Sequence, residues 1–315
     1  MPDAHLSYEV VDVFTSRPFA GNPLAVVYGA DDLSTTQLQA IAVEFNLSET
    51  TFPVALTSAD LEAGADYRVR IFTPAAEIPF AGHPTLGTAW SLRQRGMIGP
   101  GQRAQSCGAG LIGVAVPADP TAALELSAMP RDHARRLSAA ETTTVASLAG
   151  LGADDVVGPA YAAGCGLSWL YLRVVPGAVT RARPASRKVA ETDIDLAGLV
   201  DPLDGLDVFA LESDGPSGAG APLRVDSRVF VPGYGIPEDP ATGSAAAGLG
   251  LVLVAAGHAA ADGETRFLID QGVDMGRPSA LSGRVEASRG AAVRSHVAGQ
   301  VVPVSSGHIV VPPLA

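Results

Sequence analysis

Two ionisable residues, Glu49 and His83, stand at junctions between predicted elements, where a side chain can enter a binding cleft. Glu49 follows a predicted helix and precedes an apolar strand. If this carboxyl group is partly buried, its pKa rises and it can take and return a proton near neutral pH. His83 opens a helix, where the positive dipole end favours a neutral imidazole that can orient or polarise a substrate. The alternatives are a solvated glutamate near a helix end and a histidine that caps the helix or packs in a core.

A second pair, Asp239 and Ser244, lies at the opening of another predicted helix. Ser244 follows Gly243, and its hydroxyl together with nearby backbone N–H groups can bind a carboxylate. Each residue also has a plain structural interpretation, because Asp before Pro often starts a turn and Ser often occupies the first turn of a helix.

The two pairs lie in segments that resemble each other. Their period is too long for a solenoid, so it predicts two similar halves, each with a Gly-polar turn that opens a small-residue helix. Unpaired N–H groups at such turns suit an anion, which predicts a small carboxylate-bearing ligand enclosed between two domains. The matched segments are 70–74 with 228–232, 78–79 with 236–237, and, after a shift of three residues, 82–87 with 243–248.

Hydrophobic patterning predicts a mixed α+β chain in which apolar helices accompany many short strands. The clearest helix runs to Phe45 with Ser34 as its N-cap, and strands alternate around it. Residues 180–222 are polar and rich in Gly and Asp, which predicts a long surface loop with one short helix. The other predicted helices are 84–95, 139–148 and the segment from 243 to about 256; the tail predicts strands at 299–304 and 308–311.

Length, charge, apolar runs and cysteine content exclude several classes of function. The 315 residues suggest about two domains, and the net charge of −12 without a basic stripe argues against a nucleic-acid partner. No apolar run approaches the ~20 residues of a membrane span, and no secretory signal is visible. Cys107 and Cys165 are the only cysteines, too few for a disulfide framework, which predicts a reducing cytoplasm.

Cofactor chemistry finds no support in the motifs. Lys188 is the only lysine and lies in a polar segment predicted to be a solvated loop, which argues against a Schiff-base cofactor. The Gly-containing segment 106–110 lacks the pattern of a nucleotide-binding loop, and the six histidines are scattered without metal-site spacing. We therefore expect neither a cofactor nor a metal.

Five segments stand out together: the opening 11–27, which contains Gly21-Asn22-Pro23, the segments 45–52, 70–87 and 238–248, and Met-Gly-Arg-Pro-Ser at 275–279. Together they resemble the motifs of one known family, the PhzF-type isomerases of phenazine biosynthesis, and they occur in that family's order. The resemblance runs from about residue 6 to residue 311.

The resemblance implies the diaminopimelate-epimerase-like fold. In that fold two similar domains each wrap a β-barrel-like sheet around a central helix, and the active site lies in the cleft between them. Because the C-terminal strand returns to the first domain in this family, we expect residues 1–118 plus about 300–315 in one domain and 119–299 in the other. The resemblance also implies a homodimer.

By the same resemblance, Glu49 is the acid/base that moves a proton between two carbons of a small unsaturated acid, without a cofactor. His83, Asp239 and Ser244 match the family's other catalytic positions. The substrate-binding positions expected around them are Asn22, Gly82, Thr242 and Gly243.

Two other functions stay open at this point. An epimerase or racemase would use Asp239 or His83 as a second base, and a small-acid binding protein would bind without turnover. Related epimerases use two opposed cysteines beside these turns, where this chain has Ala81 and Thr242, so a two-thiol racemase is disfavoured.

Overall fold

The computed structural model describes residues 5–131, 133–184, 205–213, 221–231 and 237–313. The chain forms two compact units. Unit 1 comprises Met1–Leu126 and Ala298–Ala315, and unit 2 comprises Ser127–Val297.

Short strands and a few helices alternate along the whole chain. The first elements are β1 (His5–Val13), β2 (Asn22–Tyr28), α1 (Thr35–Phe45), β3 (Glu49–Val54), α2 (Ser58–Glu62), β4 (Tyr67–Phe72), β5 (Glu77–Ile78), α3 (Gly82–Gln94), β6 (Gly101–Cys107), β7 (Gly110–Val116) and β8 (Leu124–Ala128). They are followed by β9 (Arg135–Arg136), α4 (Ala139–Leu148), a 3₁₀ turn (Ala153–Asp155), β10 (Tyr161–Cys165), β11 (Leu167–Arg173), α5 (Pro176–Arg181), β12 (Gly205–Leu211), β13 (Leu223–Phe230), β14 (Glu238–Asp239), α6 (Gly243–Ala255), β15 (Gly263–Gln271), β16 (Ser279–Ser288), β17 (Ala291–Gly299) and β18 (Val301–Val310).

Unit 1 wraps its sheet around helix α3. Strand β1 pairs antiparallel with β18 and β2, β2 runs parallel to β3, β3 pairs antiparallel with β4, and β4 pairs with β5 and β6. Residues 82–92 of α3 are all buried. Gly87 lets the helix approach the sheet, because a Cβ there would lie 2.6 Å from Leu24 Cδ2.

Unit 2 repeats the same order of pairings around α6. Strand β10 pairs antiparallel with β9 and β11, β11 runs parallel to β12, β12 pairs antiparallel with β13, and β13 pairs with β14 and β15. Residues 243–254 of α6 are all buried. Gly248 takes the place of Gly87, since its Cβ would lie 2.0 Å from the Tyr171 hydroxyl oxygen.

Each unit carries the same bidentate ion pair between its long strand and the short strand beside it. Arg70 donates from Nε and Nη2 to Glu77 at 2.8 and 2.7 Å, and Arg228 donates in the same way to Glu238 at 2.8 and 2.7 Å. The strand pairings align Ile78 with Asp239, since both follow the paired glutamate. The predicted match of Ile78 with residue 236 is therefore wrong, because Ile78 corresponds to Asp239; residue 236 itself lies outside the described residues.

Smaller helices cover the outside of the sheets. Ser34 caps α1 as predicted, accepting a hydrogen bond from Gln37 N at 3.3 Å while the Gln37 side chain accepts from Ser34 N. Helix α1 packs its apolar face, with Leu38 and Ile41 buried, onto a cluster that contains Phe52 and Phe72. In unit 2, α4 and α5 cover a corresponding cluster.

Most predicted helices and strands are confirmed, and two predictions of secondary structure are wrong. The segment 180–222, predicted as surface loop, contains the entirely buried strand β12. The tail forms one strand, β18, where two were predicted. Lys188, with the rest of 185–204, lies outside the described residues. No helix in the described ranges combines the length and apolar character needed to cross a membrane.

Candidate active site

Glu49 is placed by the end of α1. The helix ends at Phe45, and Asn46 takes the left-handed conformation (φ 50°) while its N–H donates to Ala42 O at 3.1 Å. Asn tolerates this conformation better than most residues, so the chain turns here and enters β3 at Glu49. In the parallel ladder between β2 and β3, Glu49 lies beside Leu24.

His83 lies directly beside Glu49. It is the second residue of α3, which begins at Gly82 after Ala81, a residue in extended conformation that gives no side-chain cap. Its imidazole Nε2 lies 3.4 Å from Glu49 Oε2, with 5% of the His83 side chain and 15% of the Glu49 side chain exposed. The structure therefore brings the two proton-transfer candidates of the first half into contact.

The His83 imidazole is neutral because it is buried. Desolvation lowers the pKa of His83 to about 3, against a smaller opposing effect from a hydrogen bond to the Pro23 backbone. Proline offers only a carbonyl acceptor, so His83 donates to it, and because Nε2 faces Glu49 the donor is Nδ1. Nε2 then carries a lone pair, and no described residue hydrogen-bonds to it.

The start of β2 ties these residues together. Asn22 is fully buried and opens β2, where it pairs with Val13. Pro23, the next residue, accepts the hydrogen bond from His83. Of the predicted site residues, His83 thus contacts Glu49, while Asn22 and Gly82 are the chain neighbours of Pro23 and His83.

In unit 2, the turn before α6 is held by a residue that the motifs did not indicate. Asp239 Oδ2 accepts a hydrogen bond from the Thr242 hydroxyl at 2.6 Å. Gln271, buried at the end of β15, donates to Asp239 O at 2.9 Å and accepts from Thr242 N at 3.2 Å. Only the strand pairing brings Gln271 to this turn, which is why sequence spacing gave no signal for it.

Ser244, the second residue of α6, corresponds in position to His83. It is buried, and its Oγ accepts a hydrogen bond from Trp169 Nε1 at 3.2 Å. The parallel ladder pairs Trp169 with Gly205, just as Leu24 pairs with Glu49 in unit 1. Unit 1 has Glu49 beside His83. At the corresponding positions unit 2 has Gly205 and Ser244, and Trp169 contacts the serine.

The two cysteines lie in different environments. Cys165 is buried, and desolvation raises the pKa of its thiol to about 12. The Cys107 thiol donates to the Gly110 carbonyl at 3.6 Å. Among the described residues, no group of three or more His, Cys, Asp or Glu side chains is arranged to hold a metal ion.

Solved structures identify the class of fold. A PhzF-family protein from Bacillus anthracis superimposes with a TM-score of 0.80 at 22% identity, covering 98% of this chain and 99% of that one. A hydroxyproline epimerase from Agrobacterium vitis does so with a TM-score of 0.60 at 14% identity, covering 97% and 92%. The fold is therefore the α+β, diaminopimelate-epimerase-like fold.

The family follows from the sequence comparisons. A family model described as phenazine biosynthesis-like protein, PhzC-PhzF, matches residues 11–307, and this chain belongs to that family. A relative from Pseudomonas chlororaphis, named trans-2,3-dihydro-3-hydroxyanthranilate isomerase, is 34% identical over 96% of this chain and 99% of its own length. The protein is an enzyme, an isomerase of the PhzF type.

Proposed function

We propose that this protein is a cofactor-independent isomerase that shifts a proton between two carbons of a small unsaturated amino or hydroxy acid, with Glu49 as the acid/base. The observation that carries the proposal is the contact between Glu49 Oε2 and Nε2 of a neutral His83 at 3.4 Å. The relatives named trans-2,3-dihydro-3-hydroxyanthranilate isomerase suggest this compound as the first substrate to test.

The proton balance of this step needs no other reactant. The Glu49 carboxylate takes a proton from one carbon, and the electron pair of that C–H bond moves into the adjoining unsaturated system. The neutral acid then faces the Nε2 lone pair of His83, which accepts its hydrogen bond. Glu49 returns the proton to the second carbon, so one C–H bond breaks, another forms, and the enzyme ends in its starting state.

A single base favours isomerisation over epimerisation, which needs a base on each face of the reacting carbon. Gly205 stands where unit 2 would need a counterpart of Glu49, and a Cβ there would lie 2.1 Å from the Phe230 carbonyl oxygen. His83 is too weak a base near neutral pH because its pKa is lowered to about 3. The raised pKa of Cys165 leaves its thiol protonated there.

The proposal extends to substrate binding, which the family resemblance supports. The substrate carboxylate is bound by hydroxyl and backbone N–H groups, and Asp239 hydrogen-bonds the other polar groups of the substrate. We include a cytoplasmic location and a homodimer in the proposal, the latter checked by light scattering. The residues proposed for binding are Asn22, Gly82, His83, Asp239, Thr242, Gly243 and Ser244.

Proton NMR in D₂O with the purified enzyme tests the reaction. Trans-2,3-dihydro-3-hydroxyanthranilate should lose its starting olefinic pattern, with the Glu49→Gln variant as the matched control. If the compound is unchanged, the same assay on other small unsaturated acids tests the class. Loss of optical activity with exchange of a single Cα proton, and no shift of a double bond, would instead establish an epimerase.

A further inference from the structure

In the described part of the chain the Ser244 hydroxyl has one hydrogen-bond partner, and toward it the serine oxygen can only accept. An indole N–H can only donate, so Ser244 Oγ is the acceptor from Trp169 Nε1 at 3.2 Å. The Ser244 side chain is buried, with 6% of the residue exposed, and its own proton has no acceptor in the described part of the chain. A buried hydroxyl with an unused proton and a neighbouring helix N-terminus favours an anion as its partner.

The geometry points to Trp169 as a positioning residue for the substrate carboxylate, an inference that rests on the proposed function. By occupying an acceptor lone pair of Ser244 Oγ, the indole N–H turns the hydroxyl proton away from itself and leaves it to donate to the carboxylate. When Ser244 donates, its oxygen becomes a better acceptor, so the two hydrogen bonds strengthen each other.

The surroundings of Trp169 hold the indole in this position. Trp169 is 2% exposed and lies on β11 opposite Gly205 of β12. A Cβ on Gly205 would approach the Trp169 ring atom Cζ3 to 2.9 Å, so the ring fills the space that glycine leaves. In unit 1 the corresponding positions hold Glu49 and His83. Unit 1 therefore supplies the acid/base, and unit 2 supplies the Ser244 hydroxyl as an oriented hydrogen-bond donor.

A double-mutant cycle tests the inference by binding, which needs no turnover. The ligand is 3-hydroxyanthranilate, an aromatic analogue with the carboxylate, and 2-aminophenol is the matched ligand without it. We expect Ser244→Ala to weaken 3-hydroxyanthranilate binding about tenfold and Trp169→Phe about threefold to fivefold by calorimetry. The double variant should bind like Ser244→Ala alone, and none of the three should change 2-aminophenol binding.

If Trp169 has a purely structural role, Trp169→Phe should lower stability without changing the affinity for 3-hydroxyanthranilate, or the effects of Trp169→Phe and Ser244→Ala on that affinity should be additive. Either result overturns the inference. So does a wild-type protein that does not bind 3-hydroxyanthranilate. Turnover measured on the same preparations separates the two proposals. If wild type is active, Glu49→Gln is inactive and the Ser244 and Trp169 substitutions show no coupling, the proposed function stands and only the inference about Trp169 fails.

A measurement on wild type covers the case in which Trp169→Phe does not fold. The chain has two tryptophans, so ¹⁵N-tryptophan labelling gives two indole N–H signals, assigned with Trp90→Phe. The Trp169 proton should move downfield on addition of 3-hydroxyanthranilate but not of 2-aminophenol. The Trp90 signal, whose N–H donates to Pro120 O at 3.2 Å, serves as control; an unmoved Trp169 signal contradicts the inference.

Discussion

Replacing Glu238 by Gln should destabilise the protein far more than the same change at Glu77, although the two ion pairs have the same geometry. Both glutamates accept two hydrogen bonds from an arginine at 2.8 and 2.7 Å. The environments differ: the exposed fractions of the arginine and glutamate side chains are 8% and 11% for Arg228–Glu238 but 22% and 38% for Arg70–Glu77.

The magnitude follows from burial. A glutamine at 238 removes the negative charge and turns an NH₂ group toward the N–H groups of Arg228, which leaves a buried cation poorly paired. Such a loss costs about 3–5 kcal/mol of unfolding free energy. We expect about 3 kcal/mol, because Asp274 Oδ2 at 3.7 Å and the Ala182 carbonyl at 2.8 Å still face the guanidinium. At Glu77, water can replace the partner, and the cost should stay below about 1 kcal/mol.

Urea unfolding followed by circular dichroism measures both values on matched variants. Glu77→Gln is the control, since it removes the same two hydrogen bonds from an arginine in the same motif. Equal losses for the two variants, or a larger loss at Glu77, would show that burial does not set the energy of this ion pair.

Two further predictions concern buried ionisable groups. With a thiol reagent at pH 8, one thiol per native protein, that of Cys107, should react. The Cys165 thiol should not react, because burial raises its pKa to about 12. Two fast-reacting thiols without denaturant would contradict this. Desolvation raises the pKa of Asp207 to about 7 in the fold, so its ionisation opposes folding as pH rises from about 4 to 7. The difference in unfolding free energy between Asp207→Asn and wild type should therefore grow in favour of the variant over that range and level off above it, and a constant difference would count against the buried carboxyl.

The sequence was most informative where chemistry is local. The capping box at Ser34 and Gln37 lies within four residues, and α1 begins there as predicted. The similar segments of the two halves likewise indicated a repeated unit, and the strand pairings show the same order in both. The match of Ile78-Pro79 with Ile236-Pro237 rests only on the identity of two apolar dipeptides. Such an identity does not show which glutamate pairs with which arginine.

Contacts that depend on strand pairing could not be predicted. Gln271 reaches the Asp239 turn only because β15 lies parallel to β13, and Trp169 reaches Ser244 from a strand 75 residues away in sequence. The Gly and Asp around β12 predict a surface loop, whereas the residues of the strand itself are buried on both faces. Burial of Asp207 on that strand is a tertiary effect that composition does not show.

The role of Glu49 is tested most directly by comparing turnover and binding in one variant. Glu49→Gln keeps the shape of the side chain beside His83 but removes the group that takes and returns the proton. We expect turnover of trans-2,3-dihydro-3-hydroxyanthranilate, followed by NMR, to fall by about 10²- to 10⁴-fold. Calorimetry should show 3-hydroxyanthranilate binding within about threefold of wild type. Turnover within tenfold of wild type in the folded variant would contradict the assignment of Glu49 as the acid/base.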